Sequence, residues 1–173
     1  MGRLIVRRAP GRHRHLGLLQ AGQRVFPCLL GESGITVIKR EGDRATPAGR
    51  LRILGGYFRR DRMMRLATTM AMHDAATDDG WCDDPVAPQY NRPVRLPFNM
   101  SHEFMRREDR LYDICLVLDW NFRPRIRGRG SAIFLHQTSA DGKPTLGCIA
   151  VEPNLMRKLL KRLRRDAVVR VMP

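Results

Sequence analysis

Apolar and polar positions along this chain fall into short alternating runs, the pattern of half-buried or wholly buried strands rather than of long amphipathic helices. Leu4 to Val6 and Val25 to Leu30 predict two short strands flanking the basic, glycine-containing segment 10–24, and hence an opening hairpin. Gly31 to Gly34 predicts a turn, Ile35-Thr-Val-Ile38 a β-branched strand, and residues 39–49 a polar loop with Gly and Pro at turn positions. Leu51, Ile53 and Tyr57 alternate along a further strand, Leu51 to Phe58. From Arg59 to Leu111 the periodicity weakens, apart from short pieces such as Met70 to His73. A loop of that length in a compact domain is functional or disordered, and its aromatics and carboxylates argue for order. Tyr112 to Trp120 is the clearest strand: Ile114, Leu116 and Leu118 alternate with Cys115 and Val117, so both faces are expected to be buried. A basic turn leads to a strand over Ser131 to Leu135, and another strand follows Cys148. Glu152-Pro153 is a helix entry. Beyond it Leu155, Met156, Leu159, Leu160 and Leu163 share one helical face, with Arg157, Lys158, Lys161, Arg162, Arg164 and Arg165 on the other. Val168 to Val171 closes the chain as a strand. The expectation is a mainly β fold with one or more short helices, in a single domain over residues 1–173.

Composition changes this picture in one respect. Hydrophobic residues make up 43% of the chain, ordinary for a folded domain. The formal charge is +15, from 32 Lys and Arg against 17 Asp and Glu. Such a balance favours polyanionic partners, whether nucleic acid, anionic lipid surfaces or carboxylate-rich polymer, and equally fits a solvated basic surface. The basic helix face comes with no paired DNA-reading helix and no aromatic-interleaved RNA motif, so no nucleic-acid partner is expected. No run approaches the ~20 apolar residues of a membrane span, and no standard export leader can be read near the N-terminus. The cysteines, at 28, 82, 115 and 148, lack the CxxC spacing of a zinc ribbon or thioredoxin motif, and no metal site is expected. Cys28 and Cys115 sit in apolar runs as small core residues; Cys82 falls in a polar loop.

Candidate chemistry lies in residues 131–151. An apolar run ends on His136, a polar loop follows, and Thr145-Leu-Gly147-Cys148 re-enters an apolar run. Strand, loop, strand can bring an imidazole beside a thiol twelve positions away. A thiolate is the nucleophile in cysteine chemistry, and a neighbouring imidazole generates it. Gly147 allows a tight turn that exposes the thiol, and the Gly147 and Cys148 amides are candidate oxyanion donors. Taken singly, a histidine at a strand end is more often structural and a cysteine more often core; their joint setting points to acyl transfer.

These residues carry a family resemblance. Ile133-Phe-Leu-His136 with Thr145-Leu-Gly147-Cys148-Ile149 resembles the His…[Ser/Thr]-x-Gly-Cys signature of L,D-transpeptidases of the YkuD type. Thr46-Pro47-Ala-Gly49-Arg-Leu51 is similar to that family's TPxGxF segment. Gly80-Trp-Cys-Asp-Asp-Pro and Tyr90-Asn91-Arg-Pro-Val are similar to a small single-domain bacterial subgroup. The resemblance implies a β-sandwich-like catalytic domain acting on peptidoglycan stem peptides as donor and acceptor, without metal or organic cofactor. By motif Cys148 is the nucleophile, His136 the general base, and Thr145 and Leu146 belong to the substrate-binding turn. Leu146 and Ala150 depart from the family's usual neighbours of the cysteine, and the loop 137–144 is short. Compensating substrate contacts are expected from Trp81, Asp83, Tyr90, Asn91 and His102, for which ordering the loop is the competing role. A periplasmic location follows from the substrate alone, and the oligomeric state is left open with a monomer as the default. Two rivals remain: the same residues with water as acceptor, in an L,D-carboxypeptidase or endopeptidase, and a non-catalytic basic module binding cell wall or nucleic acid.

Overall fold

The computed structural model describes residues 1–63, 65–139 and 141–173. Its elements in chain order are β1 (Arg3–Arg8), β2 (Leu16–Ala21), β3 (Arg24–Leu29), β4 (Ile35–Thr36), β5 (Thr46–Pro47), β6 (Gly49–Phe58) and β7 (Met72–Asp74). There follow β8 (Asp79–Cys82), β9 (Arg92–Arg95), β10 (His102–Phe104), β11 (Ile114–Leu118), β12 (Phe134–Gln137), β13 (Ile149–Val151), α1 (Pro153–Leu160) and β14 (Val168–Val171). The fold is mainly β, in keeping with the sandwich-like architecture of the resemblance.

The large sheet runs β11-β12-β13-β3-β2-β1-β14-β6-β7, and an additional β11–β6 pairing closes it on itself. Closure leaves few free edges to template aggregation. The long β6 makes the corner: Gly49 to Arg52 pair with β14, and Ile53 to Phe58 pair with β11. At that corner the sheets come very close. A Cβ on Gly56 would lie 2.3 Å from the Cys115 carbonyl oxygen, so no larger residue fits there.

Alternation then sorts side chains into two cores. Leu4, Val6, Leu19, Leu116, Leu135, Ile149 and Met156 pack into the larger one, which α1 covers with Leu155, Met156, Leu159 and Leu160. The helix starts where the Glu152 carboxylate accepts the Leu155 N–H at 3.0 Å, an N-cap with proline behind it. The opposite faces of β11 and β12 point into a smaller core of Trp81, Met105, Tyr112, Cys115, Val117, Phe134 and Cys148. Each large apolar side chain so buried contributes about 1.5–3 kcal/mol. The small sheet β10-β8-β9 supplies Trp81 to this second core. The candidate thiol therefore sits in a packed apolar wall.

Several expected boundaries move, each for a local reason. β1 pairs with β2, Leu4 opposite Ala21 and Arg8 opposite Gly17, so the opening hairpin uses a strand hidden in the basic segment and anchored by Leu19. Ile35 to Ile38 shortens to a two-residue parallel pairing with β5, because Val37 and Ile38 are exposed. The strand predicted over Ser131 to Leu135 starts at Phe134, since Gly130 and Ala132 both take positive φ, +92° and +50°. The helix stops at Leu160, though Leu163 is still buried. Cys82 is not in a polar loop but fully buried on β8. Residues 59–111, expected to be one long ordered loop, contain β7 to β10.

Asn91 pins this region to the rest. Its Oδ1 accepts the Trp81 Nε1–H and the Ala132 N–H, both at 3.1 Å, while Nδ2 donates to the carbonyls of Trp120 at 3.0 Å and Asn121 at 2.9 Å. With φ at +54° it occupies a conformation that asparagine tolerates better than most residues. Asn91→Ala leaves buried donors and acceptors unpaired. It is expected to cost about 2–4 kcal/mol of unfolding free energy, read as a fall in urea midpoint; a change below about 0.5 kcal/mol would contradict this.

Candidate active site

The parallel pairing of β12 with β13 sets the geometry of the candidate pair. Leu135 is opposite Ile149 and His136 opposite Ala150, which leaves Cys148 one step before the ladder, diagonal to His136 on the same face. Both residues line a cleft of about 380 Å³ whose walls come from residues 103–112, from the loop after His136 and from the Thr145–Cys148 turn. The sequence separation closes because β12 leaves the sheet at the point where β13 enters it.

A buried scaffold holds the turn. The Thr145 hydroxyl donates to the Cys148 carbonyl at 2.7 Å and accepts the Gly147 N–H at 3.2 Å. The Thr46 hydroxyl, from the TP segment, also donates to the Cys148 carbonyl at 3.2 Å, and the Gly31 amide donates to Thr46 at 2.9 Å. Gly147 has φ +140°, and a Cβ there would stand 3.1 Å from the Ala45 carbonyl oxygen. Gly147→Ala is therefore expected to lower the thermal midpoint and distort the thiol's placement, at a cost of about 1–3 kcal/mol; an unaltered midpoint would count against a strained turn. Of the two amides expected as oxyanion donors, Gly147 N–H is occupied by Thr145, whereas that of Cys148 makes no hydrogen bond among the described residues.

The thiol and imidazole are each tied to backbone rather than to each other. Cys148 Sγ donates to the Ala132 carbonyl at 3.2 Å and accepts the Phe134 N–H at 3.4 Å. His136 Nδ1 lies 2.7 Å from the Gln137 carbonyl. A carbonyl only accepts, so Nδ1 carries the proton and the neutral ring presents its lone pair at Nε2. Tyr112 packs edge-on against His136, with ring centroids 5.2 Å apart, and against Phe134 at 5.8 Å. Burial holds the imidazole down to about 4 and pushes the thiol up to about 12, with the Glu103 carboxylate reinforcing the latter. At rest both groups are neutral.

Lys39 is buried beneath the turn, its ammonium donating to Asp43 Oδ1 at 2.5 Å and to the Arg40 carbonyl at 3.1 Å. Its charge is one of the few influences favouring a Cys148 thiolate. No group of three or more His, Cys, Asp or Glu among the described residues is arranged to hold a metal ion.

Thr145 and Leu146 line the cleft with Cys148 and His136, Leu146 exposed at its lip. Trp81, Asp83, Tyr90, Asn91 and His102 do not line it among the described residues. Trp81 is buried edge-on to Phe134, 5.3 Å between centroids. The Tyr90 hydroxyl donates to Glu41, which also accepts from Ser131 at 2.8 Å. Together with Asn91 these residues brace the 120–132 segment whose Ala132 carbonyl holds the thiol, so they act behind the cleft wall. Asp83 has one buried carboxylate oxygen without a partner among the described residues. His102 lies between Phe98 and Phe104 at a separate hollow, Nδ1 2.7 Å from the Met100 carbonyl. Glu103, Arg107 and Tyr112 line the cleft without having been marked by the sequence; the available signal was a run of charged residues, 106–110, between the aromatics Phe104 and Tyr112.

A thiol and a tautomer-fixed imidazole sharing one cleft on a β scaffold suit acyl transfer through a cysteine. The chain belongs to the YkuD family: the model of the L,D-transpeptidase catalytic domain matches residues 3–171, nearly its whole length. No curated protein and no solved structure matches it.

Proposed function

We propose that this protein is a cysteine L,D-transpeptidase that cross-links peptidoglycan stem peptides through a thioester on Cys148. The observation that carries this reading is the shared cleft of Cys148 and His136, with the His136 tautomer fixed by the Gln137 carbonyl. Cys148 Sγ attacks the carbonyl of the L-centre of diaminopimelate in the donor, and its proton passes to His136 Nε2. The bond to the terminal D-alanine breaks, and His136 returns the proton to the departing amine. An amine of the acceptor stem then attacks the thioester, forms the new amide and restores the thiol. The free Cys148 amide is the oxyanion donor in both tetrahedral states.

The surface fits such a substrate. Stem peptides are rich in carboxylates, and a protein of charge +15 concentrates them from solution. No helix among the described residues is long and apolar enough to cross a membrane. Family membership and substrate together support work at the cell wall, in the periplasm.

Incubation with purified muropeptides is expected to give cross-linked dimers, and Cys148→Ala or His136→Ala to abolish them. Trimmed monomers without dimers would replace transpeptidation by L,D-carboxypeptidase or endopeptidase action with water as acceptor. No product together with tight, salt-sensitive polymer binding that survives Cys148→Ala would replace both by a non-catalytic binding module.

A further inference from the structure

The cleft carries two side chains of opposite charge, Glu103 and Arg107, that the acyl-transfer steps leave unused. Tyr112 forms its base, packed edge-on against His136. The Tyr112 hydroxyl donates to Glu103 Oε2, and the Arg107 guanidinium lies over the same ring, 5.0 Å from its centroid. One aromatic side chain thus holds a carboxylate at its polar tip and a cation on its face, both on the cleft that contains the thiol.

Both charges are held in place before any ligand arrives. Asp109 engages Arg107 through Nε at 3.0 and 3.1 Å and through Nη2 at 2.5 Å, leaving Nη1 without a partner among the described residues. The Arg107 backbone carbonyl accepts from Arg59 Nη1 at 2.6 Å and Arg62 Nη1 at 3.4 Å, and Arg59 is itself buried. Glu103 stands on β10, paired opposite Trp81 of β8, so strand pairing fixes its backbone. Glu103 Oε1 accepts no hydrogen bond among the described residues. Desolvation pushes the Glu103 carboxyl above the usual carboxylate range, so an arriving cation offsets an existing penalty.

We infer that Glu103 and Arg107 form a specificity subsite for a free amino-acid head, Glu103 taking its ammonium and Arg107 Nη1 its carboxylate. A zwitterionic head carries both charges on one carbon, and a site offering one partner for each rejects analogues lacking either, because one donor or acceptor of the site is then left without its partner. In the donor proposed above, diaminopimelate presents such a head at its side-chain end, and the inference rests on that reading. A lysine-containing stem offers only the ammonium, and an amidated stem offers no carboxylate.

Intact-protein mass spectrometry of Cys148 thioester formation tests the subsite with four donor tetrapeptides: diaminopimelate, its side-chain amide, its side-chain N-acetyl derivative, and lysine at the same position. The wild type is expected to acylate with diaminopimelate at least 10-fold faster than with any of the three analogues, about 1.4 kcal/mol of discrimination or more. Arg107→Gln is expected to erase the preference for carboxylate over amide. Glu103→Gln, which keeps an acceptor for Tyr112, is expected to erase the preference for diaminopimelate over a donor acetylated at the side-chain amine. Arg107→Lys is expected to restore part of the carboxylate preference, which separates charge recognition from damage to the fold. Equal rates for all donors in the wild type, or unchanged preferences in both neutral variants, would overturn the subsite. Failure of every donor to acylate wild-type Cys148 would instead overturn the acyl-enzyme reading on which it stands.

Discussion

At pH 7, Cys148 of the free protein is expected to react with iodoacetamide about 10³-fold more slowly than an ordinary cysteine. The thiol is pushed from 9.0 up to about 12, first by burial and then by the Glu103 carboxylate. The Phe134 N–H, Lys39 and Arg107 act in the opposite sense and do not win. Each pH unit by which a thiol is raised removes a factor of ten from the thiolate present at neutrality, and only the thiolate is alkylated. His136 cannot compensate in the resting state, because burial holds it down to about 4 and the thiol is bonded to the Ala132 carbonyl instead. The logarithm of the alkylation rate, mapped to the Cys148 peptide, is therefore expected to rise with slope one from pH 7 to 10. Glu103→Gln is expected to accelerate it. A rate independent of pH between 5 and 8 would reveal a resting thiolate–imidazolium pair and defeat the prediction. On the acyl-transfer reading proposed above, the proton would leave Sγ only as an acyl carbon arrives, when Nε2 could take it and the Cys148 amide could stabilise the oxyanion.

The sequence made the candidate thiol and imidazole visible because their signal is local. A strand that ends on His136 and one that begins at Cys148 need only pair in parallel for both side chains to share a face, and they do. Gly147 could be anticipated from the turn it must make, and its φ of +140° is the reason. β11 was readable because Ile114, Leu116 and Leu118 serve one core while Cys115 and Val117 serve the other, which demands a continuous apolar run.

What stayed hidden depends on contacts distant in sequence. β2 was masked by its basic surroundings, because Leu19 is its one wholly buried large side chain. Trp81 and Asn91 looked like ligand-binding residues, since aromatic and amide side chains in a long loop serve either purpose. Only the bonds from Asn91 to Trp120, Asn121 and Ala132 show that they brace the cleft from behind. Conversely, nothing in the local pattern around Glu103 and Arg107 singles them out. Their place in the cleft follows from β10 pairing with β8 and from Tyr112 standing between them and His136. Loop residues gain meaning from the scaffold that positions them, and that scaffold here spans three separate segments.

His136 is expected to remove about 3 kcal/mol of stability as the pH is lowered from 6.5 to 4, because it must then be charged on unfolding but resists charging when folded. Its ring is 5% exposed, and burial holds it down to about 4 against an ordinary 6.5. Between these values the unfolded chain binds a proton that the native state does not, so stability is present above pH 6.5 and is lost as the pH falls through 4. The hydrogen bond from Nδ1 to the Gln137 carbonyl favours protonation but is outweighed by desolvation. Three other groups bear on the profile. Glu103 is raised rather than lowered, so over part of the same range its protonation favours the native state and softens the fall. Asp61 and Asp141, held at about 2 by hydrogen bonds from Arg59 and Lys143 respectively, act only below pH 4. Subtracting the profile of His136→Gln from that of the wild type isolates the histidine. The difference in urea-unfolding free energy is expected to change by about 3 kcal/mol across the window and to level off on both sides of it. Parallel profiles would mean that His136 titrates in the folded protein as it does in the unfolded chain, and that burial does not hold the ring neutral at acid pH.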